Sequence, residues 1–395
     1  MTVPKFRFTF WKAVFLAIMA AGVYATYIRF AHGLGASTNL SDQFPWGLWI
    51  GFDVMCGVML AAGGFTLTAA VHILNIERWH SIVRPTILTA FMGYLLVCAA
   101  LMYDLGLPWN IWHPLVMRNP HSVMFEVAYC VMLYTAVLAL EFSPIVFEHF
   151  KWRKALLVVR RVMMVFVILG VILSTLHQSS LGTLYLIMPN KLHPFWYSPL
   201  LPVFFYISAI AVGLAMTIFE SSMSSKYFGR ELELSILKDL GRVLVVVLAI
   251  YGILRFEDLF HRGVLGMVFV PGYEQRFFLL EMFLSVVAPL GLLLVPKVRN
   301  NPQGLYLAAV LTLLGFVTNR LNVAITGVEN SVGARYTPKW TEVVITAMFV
   351  ALGFAIFGFV ARYLPIFPEE TAHLPAMSQP QGVRAEVAVP VHAGD

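Results

Sequence analysis

Ten stretches dominated by apolar residues, each near twenty residues long, follow one another along the chain. A run of that length matches the hydrocarbon thickness of a bilayer when it is helical. The pattern predicts helices over roughly 11–31, 50–74, 86–105, 121–141, 157–178, 200–220, 238–259, 275–295, 304–323 and 340–363. The runs are almost free of charge and do not alternate polar with apolar, which excludes the strands of an outer-membrane barrel. Short connectors make sequence neighbours antiparallel in a bundle. The fold class is therefore all-α: a polytopic integral membrane protein with about ten transmembrane helices. The transmembrane domain fills 1–363. Residues 364–395, rich in Pro, Ala and Val without helical period, read as a mostly disordered tail.

The polar residues inside the spans are not spread evenly. Lys and Arg divide 18 to 9 between the two sets of connectors and ends, out of 27 in the chain. The richer set includes both terminal ends, so both termini are placed in the cytoplasm. With that orientation most in-span polar groups fall in the outer third: Asp53 at the start of the second span, Tyr103 and Asp104 at the end of the third, His121 and Glu126 at the start of the fourth. The same layer takes in His177 and Gln178 ending the fifth, Arg255, Glu257 and Asp258 ending the seventh, Glu274 and Glu281 in the eighth, and Asn319, Arg320 and Asn322 in the ninth. The inner ends hold His72, Glu141 and Glu220. Ionisable groups at membrane depth normally face a bundle interior and mark a pathway. Any single one also fits an interfacial belt reaching for water, but a belt belongs on both sides. A polar layer on one side suits a lipid-soluble redox carrier, an ion or a docked partner.

Composition narrows this further. Only 12% of residues are charged and 59% are hydrophobic, against about 25% charged in soluble domains. The net charge of +6 lies in short loops and sets topology, so no nucleic-acid partner is implied. Cys56, Cys98 and Cys130 sit singly in apolar spans and form no CxxC, so no iron–sulfur cluster of usual spacing is expected in this chain. The apolar run after Lys5, Arg7 and Lys12 is too long for a cleaved signal and reads as a retained first helix.

Three segments carry candidate chemistry. The second span, PWGLWIGFDVMCGVMLAAGGFTLTAAVHIL from Pro45, places Asp53, Gly57, Ala61, Gly64, Thr68 and His72 at intervals of three or four. They share a helix face, which suits either close packing or part of a proton path. The fifth span leads into LSTLHQSSLGTLYLIMPNKLHPFWYSPLLP, where Gly182 and the prolines are expected to end the helix and an apolar loop to roof a pocket. The ninth ends GFVTNRLNVAITG; Arg320 there needs an anion, with Asp258, Glu274 and Glu281 as candidates. Asp104 and Glu126, then Asp258 and Glu281, hint at a parallel repeat of two four-helix units.

No helix holds two histidines, so di-haem ligation is not expected; His121 and His177 leave one b haem open. P-loop, nucleophile-elbow and HExxH motifs are absent. Quinone chemistry fits better, because two carbonyl oxygens need donors and reduction needs protons. His177, Asp53, Glu126 and Tyr103 are suitable groups at about one depth.

At FPWGLWIGFDVMCGVMLAAGGF, LHQSSLGTLYLIMPNKLHPFWYSP and NRLNVAITG the chain resembles the NrfD/polysulfide-reductase-type membrane subunits. Within them it is most similar to the ten-helix branch that includes the group-2 nickel–iron hydrogenase membrane subunit, often labelled a b-type cytochrome. The resemblance covers roughly residues 10–360 and separates hydrogenase subunits poorly from those of sulfur-metabolism and multihaem-cytochrome complexes. It implies two four-helix bundles (roughly 50–178 and 200–323) plus two extra helices. It implies a haem-free subunit exchanging electrons between a periplasmic four-cluster iron–sulfur protein and menaquinone or ubiquinone, with nickel–iron hydrogenase large and small subunits as partners. Carried onto this sequence, it gives quinone-binding roles to His177, Asp53, Tyr103, Gln178 and Trp46. Glu126, His72 and Asp104 become proton relays, and Arg320, Arg255, Asp258, Glu281 and Asn319 electrostatic supports. No metal ligands are assigned. A secondary transporter and a plain membrane anchor are the rival classes; a transporter would want helices broken near the midplane.

Overall fold

The computed structural model describes residues 9–187 and 190–367; most of the C-terminal tail lies outside them. Ten long helices run in chain order: α1 (Phe10–His32), α2 (Trp49–His72), α3 (Glu77–Asp104), α4 (Val123–His149), α5 (Arg153–Leu186), α6 (Leu201–Phe228), α7 (Leu234–His261), α8 (Tyr273–Leu294), α9 (Pro302–Val332) and α10 (Trp340–Tyr363). No strand occurs among the described residues. All but α7 are long and apolar enough to cross a membrane, which makes this a multi-pass membrane protein. α7 is equally long, but Lys238, Asp239 and Arg242 crowd one end and Arg255, Glu257 and Asp258 the other. The end carrying Asp53, Tyr103, Glu126 and Arg320 is called outer, following the charge asymmetry.

α2, α3, α4 and α5 pack on one another, and α6, α7, α8 and α9 do the same. α2 and α5 meet α6, and α2 also meets α9, so the two groups share a seam. α1 and α10 pair and lean on α3 around Ala25, Trp49, Ile345 and Phe349. The seam is tight because a Cβ on Gly213 would strike the backbone of Ala62 and Gly63. In lipid, association rests on such close approach, since tails are as apolar as the helices themselves.

The helices outrun their apolar cores. α3 starts before Pro85 instead of after it, and α4 runs past Pro144 to His149. The largest departure is α5. Its 34 residues continue through Gly182 to Leu186, eight residues beyond the expected end at Gln178. Gly182 does not break the helix; it lets the backbone of Leu201 and Pro202 come against it. The roofing loop is therefore shorter than expected and starts after Leu186.

Three spans contain π turns: Trp49–Cys56 in α2, Phe283–Val287 in α8 and Asn322–Thr326 in α9. The first and third touch, with Gly51 against Ala324. The second makes room for Gly315, whose missing side chain would occupy the backbone of Ser285. π turns re-aim side chains and concentrate at functional sites. Here the first turns Asp53 toward α10 while Gly57 and Gly64 face α3 at Val97 and Ala90, so the face inferred for α2 is split.

Candidate functional site

α5 carries Ser174, His177, Gln178 and Tyr185 on its inward side, and all four are fully buried. α3 brings Tyr94 and α4 brings Tyr134 against them. The Tyr94 ring lies 5.9 Å from the His177 ring and 4.7 Å from that of Tyr134. Ser174 sits beside both phenols. Among the described residues, both nitrogens of His177, the hydroxyls of Tyr94, Tyr134, Tyr185 and Ser174, and Gln178 Oε1 make no well-formed hydrogen bond, although Tyr94, Tyr134 and Ser174 face one another at close range. Only Gln178 Nε2 is engaged, donating to the Val58 carbonyl at 3.1 Å. An unpaired buried polar group costs about 1–3 kcal/mol. A cluster of them marks a place completed by water or a polar ligand.

The cluster is continued in both directions along the α4–α5 contact. Toward the outer end, Ser180 Oγ donates to Glu126 Oε1 at 2.6 Å, one turn beyond His177. Toward the inner end, Glu141 lies buried beside Tyr134, with Oε1 against Gly170 of α5. Any side chain at Gly170 would crowd that oxygen. Glu126, Cys130, Tyr134 and Glu141 fall within one side of α4 by helical spacing.

Asp53 belongs to a different neighbourhood. Its Oδ2 accepts from Thr346 Oγ1 of α10 at 2.7 Å. Tyr103 faces the same way: its hydroxyl meets Thr26 of α1 at 3.1 Å and its ring packs on Phe349 of α10. Buried Arg29 donates to the carbonyls of Tyr103 at 2.5 Å and Leu105 at 2.6 Å, capping the end of α3. Asp104 lies in the field of Arg29, with Oδ1 making no hydrogen bond among the described residues. Among the described residues no hydrogen bond or ring contact joins Asp53 to His177. Trp46 packs edge-on to Tyr185 at 5.5 Å and lines a small surface cleft with Gln43, Phe44, Lys191 and Ala324. His72 is half-buried at the inner rim, where its ring approaches that of His80 at 6.3 Å.

The second group of helices has a network in which nearly every polar atom is answered. Glu281 is completely buried and accepts from Trp196 Nε1 at 2.7 Å, Asn319 Nδ2 at 2.7 Å and Asn322 Nδ2 at 2.9 Å. Arg320 donates to Asn319 Oδ1 at 2.7 Å, Ser208 Oγ at 2.8 Å and the Phe205 carbonyl at 3.1 Å, and lies 3.6 Å over the Phe205 ring. It touches none of the three carboxylates considered from sequence; Asn319 relays its charge to Glu281. Asp258 instead serves the roof: Ser198 donates to it at 2.5 Å and Arg262 at 2.6 Å, with Arg255 at 3.9 Å. Arg255 and Arg262 also hold the Phe195 and Pro194 carbonyls. In that roof His193 Nδ1 accepts from the Phe195 N–H, and burial keeps its pKa below the ordinary imidazole value despite nearby Glu274.

Tyr94, Tyr134 and Ser174 were missed from sequence, as were Arg29 and Thr346. The three-residue spacing of Ser174, His177 and Ser180 was a usable signal. The tyrosines looked like any buried aromatics. Among the described residues, no group of three or more His, Cys, Asp or Glu could hold a metal ion.

A family model described as "Polysulphide reductase, NrfD" matches residues 36–333. A protein of Nitratidesulfovibrio vulgaris is 41% identical over 363 residues, covering 89% of this chain and 93% of its own. The "Probable Ni/Fe-hydrogenase 2 b-type cytochrome subunit" of Escherichia coli K12 is 36% identical, covering 86% and 88%. The "Menaquinone reductase, integral membrane subunit" of Nitratidesulfovibrio vulgaris is 30% identical, covering 92% and 93%.

Proposed function

The chain belongs to the polysulphide reductase NrfD family, and we propose that it is the quinone-reactive membrane subunit of a respiratory redox complex. Electrons from an iron–sulfur partner on the outer, periplasmic side would reach a quinone held in the outer half of α2–α5. The observation that carries this is the unsatisfied cluster around His177. It offers donors and an imidazole at the depth where a lipid-soluble head group can enter.

We assign the quinone carbonyls to His177 and Gln178, with Trp46 and Tyr185 at the outer approach. Reduction to quinol takes two electrons from the partner and two protons. A neutral imidazole donates from one nitrogen and accepts at the other, so His177 can pass a proton to the carbonyl oxygen while its other nitrogen takes one, in the same step, from Glu126 by way of Ser180; a second such transfer completes the quinol. Asp53, Tyr103 and Asp104 face α1 and α10 and supply a second acidic group with Arg29 beside it; His72 is the inward relay. Proton movement along the α4–α5 contact toward Glu141 would make turnover charge-separating. The prediction is that His177→Ala or Glu126→Gln lowers quinone-linked turnover by about 100-fold or more while the complex still assembles. Wild-type turnover in both variants defeats the assignment.

For the electron donor, we propose a four-cluster iron–sulfur protein and nickel–iron hydrogenase subunits, with hydrogen oxidation reducing menaquinone or ubiquinone. The similarity to the hydrogenase 2 subunit supports this. The menaquinone reductase relative favours the alternative, the same quinone role in a complex with another donor. Native purification with mass spectrometry of the attached subunits decides between them. A b haem is left out because His177 faces a tyrosine instead of a second imidazole; a b-type band in a reduced-minus-oxidised spectrum would reverse that. The inner membrane with cytoplasmic termini remains the proposed placement, tested by tags at each end.

A further inference from the structure

At the inner end, where α3 and α6 meet at the seam between the two helix groups, a shallow cleft with about 60 Å³ of room for water opens to solvent. Its lining includes Ser81 and Pro85 of α3, Ser221 and Ser224 of α6, and Glu233 from the α6–α7 connector. The hydroxyls of Ser222 and Ser225 are used up on backbone carbonyls. Those of Ser221 and Ser224 have no partner among the described residues. Pro85 has no N–H, so the helix leaves the Ser81 carbonyl without its usual donor. These groups share the wall of the cleft with Ile82, Leu232 and Phe367.

One helical turn above Pro85 and Ser224 lies a single buried carboxylate. Glu220 of α6 is 8% exposed, and its Oε2 accepts from Thr89 Oγ1 of α3 at 2.7 Å. No salt bridge reaches it among the described residues. The charged groups around it are otherwise placed. Glu233 accepts from Ser81, Arg84 of α3 pairs with Glu148, and Arg230 and Glu231 stand at the mouth. α9 presents Tyr306, stacked on Phe219, and α2 ends in His72 beside His80. A lone carboxyl buried without a counter-charge is held neutral or exchanges protons with whatever water reaches it. Here a cleft stops one turn short of it.

We propose that this cleft is the mouth of a proton inlet from the inner side, ending on Glu220, which takes up and returns the proton while Thr89 holds it. The side assigned to the inlet rests on the Lys/Arg orientation. The use of the proton rests on the quinone reading, but its uptake does not.

The test uses the whole chain in native membrane vesicles and two readouts independent of turnover. Dicyclohexylcarbodiimide, which attacks protonated carboxyls in apolar surroundings, is expected to label Glu220, as read by peptide mass spectrometry, with about tenfold less label in alkaline medium. Glu220→Gln supplies the blank for that peptide. A membrane-impermeant thiol reagent is expected to modify Ser224→Cys in inside-out vesicles and not in right-side-out ones, above the wild-type background. No label on Glu220 at any pH, or modification of Ser224→Cys from the outer face alone, overturns the inlet. Either result leaves the His177 assignment standing, and loss of the quinone reading leaves both labels to be explained.

Discussion

The α2–α5 group and the α6–α9 group solve the problem of burying polar groups in a membrane in opposite ways. Around Glu281 the donors and acceptors answer one another, and the same side chains pin the roof through Trp196. Around His177 six side chains bury polar atoms that make no well-formed hydrogen bond among the described residues. The first arrangement is what a fixed scaffold needs, because a satisfied network specifies one geometry. The second carries a standing cost that water or a polar guest would relieve. The proposed site is thus identified less by which residues are present than by what they lack.

The sharpest way to break this comparison is to remove one group from each side. Glu281→Ala strands three donors and leaves Arg320 without its relayed partner. It should cost about 3–5 kcal/mol, seen as a large drop in melting temperature of the detergent-solubilised protein. His177→Leu strands nothing, so stability should change by less than about 1 kcal/mol while quinone-linked turnover disappears. Equal melting losses in the two variants would erase the distinction. Arg320→Lys comes next: a lysine cannot reach Asn319, Ser208 and Phe205 together, and about 2 kcal/mol should be lost. Smaller again is Thr346→Val, which removes the donor to Asp53 and should cost about 1–2 kcal/mol in melting without the turnover loss of His177→Leu. The smallest effect concerns His193. Because burial lowers its folded pKa, the unfolded chain binds the proton first. Stability should start to fall as the pH drops past the unfolded value of about 6.5 and stop falling below the folded one. His193→Gln should flatten that part of a pH–melting curve.

The ten long helices were legible, nine of them because length and apolarity alone decide whether a helix fits a bilayer; α7 is as long but does not meet that test. Their ends were not. Pro85 and Gly182 read as stops, yet one is carried inside α3 and the other is the contact at which Pro202 docks. The single-sided polar layer was visible, but which members touch was not. Periodicity tells which way a residue points on an ideal helix, and the π turn at Trp49–Cys56 removes that ideal just where Asp53 lies. Arg320 shows a related limit: a search for an opposite charge passes over the amide next door, Asn319, that does the work. Tyr94 and Tyr134 were invisible because a buried phenol with a partner and one without are the same letter.

The touching π turns in α2 and α9 bear on how sequences of this kind diverge. A π turn houses about one residue more than an α turn. Deleting one residue from Asn322–Thr326 would restore the regular ladder and swing everything after it by about 100°, carrying Glu329 away from the Tyr336 N–H it now accepts from. A relative without that extra residue would align only with a gap in the middle of a membrane helix, where gaps are least looked for. Its counterpart to Gly51, packed on Ala324, would then be free to become larger.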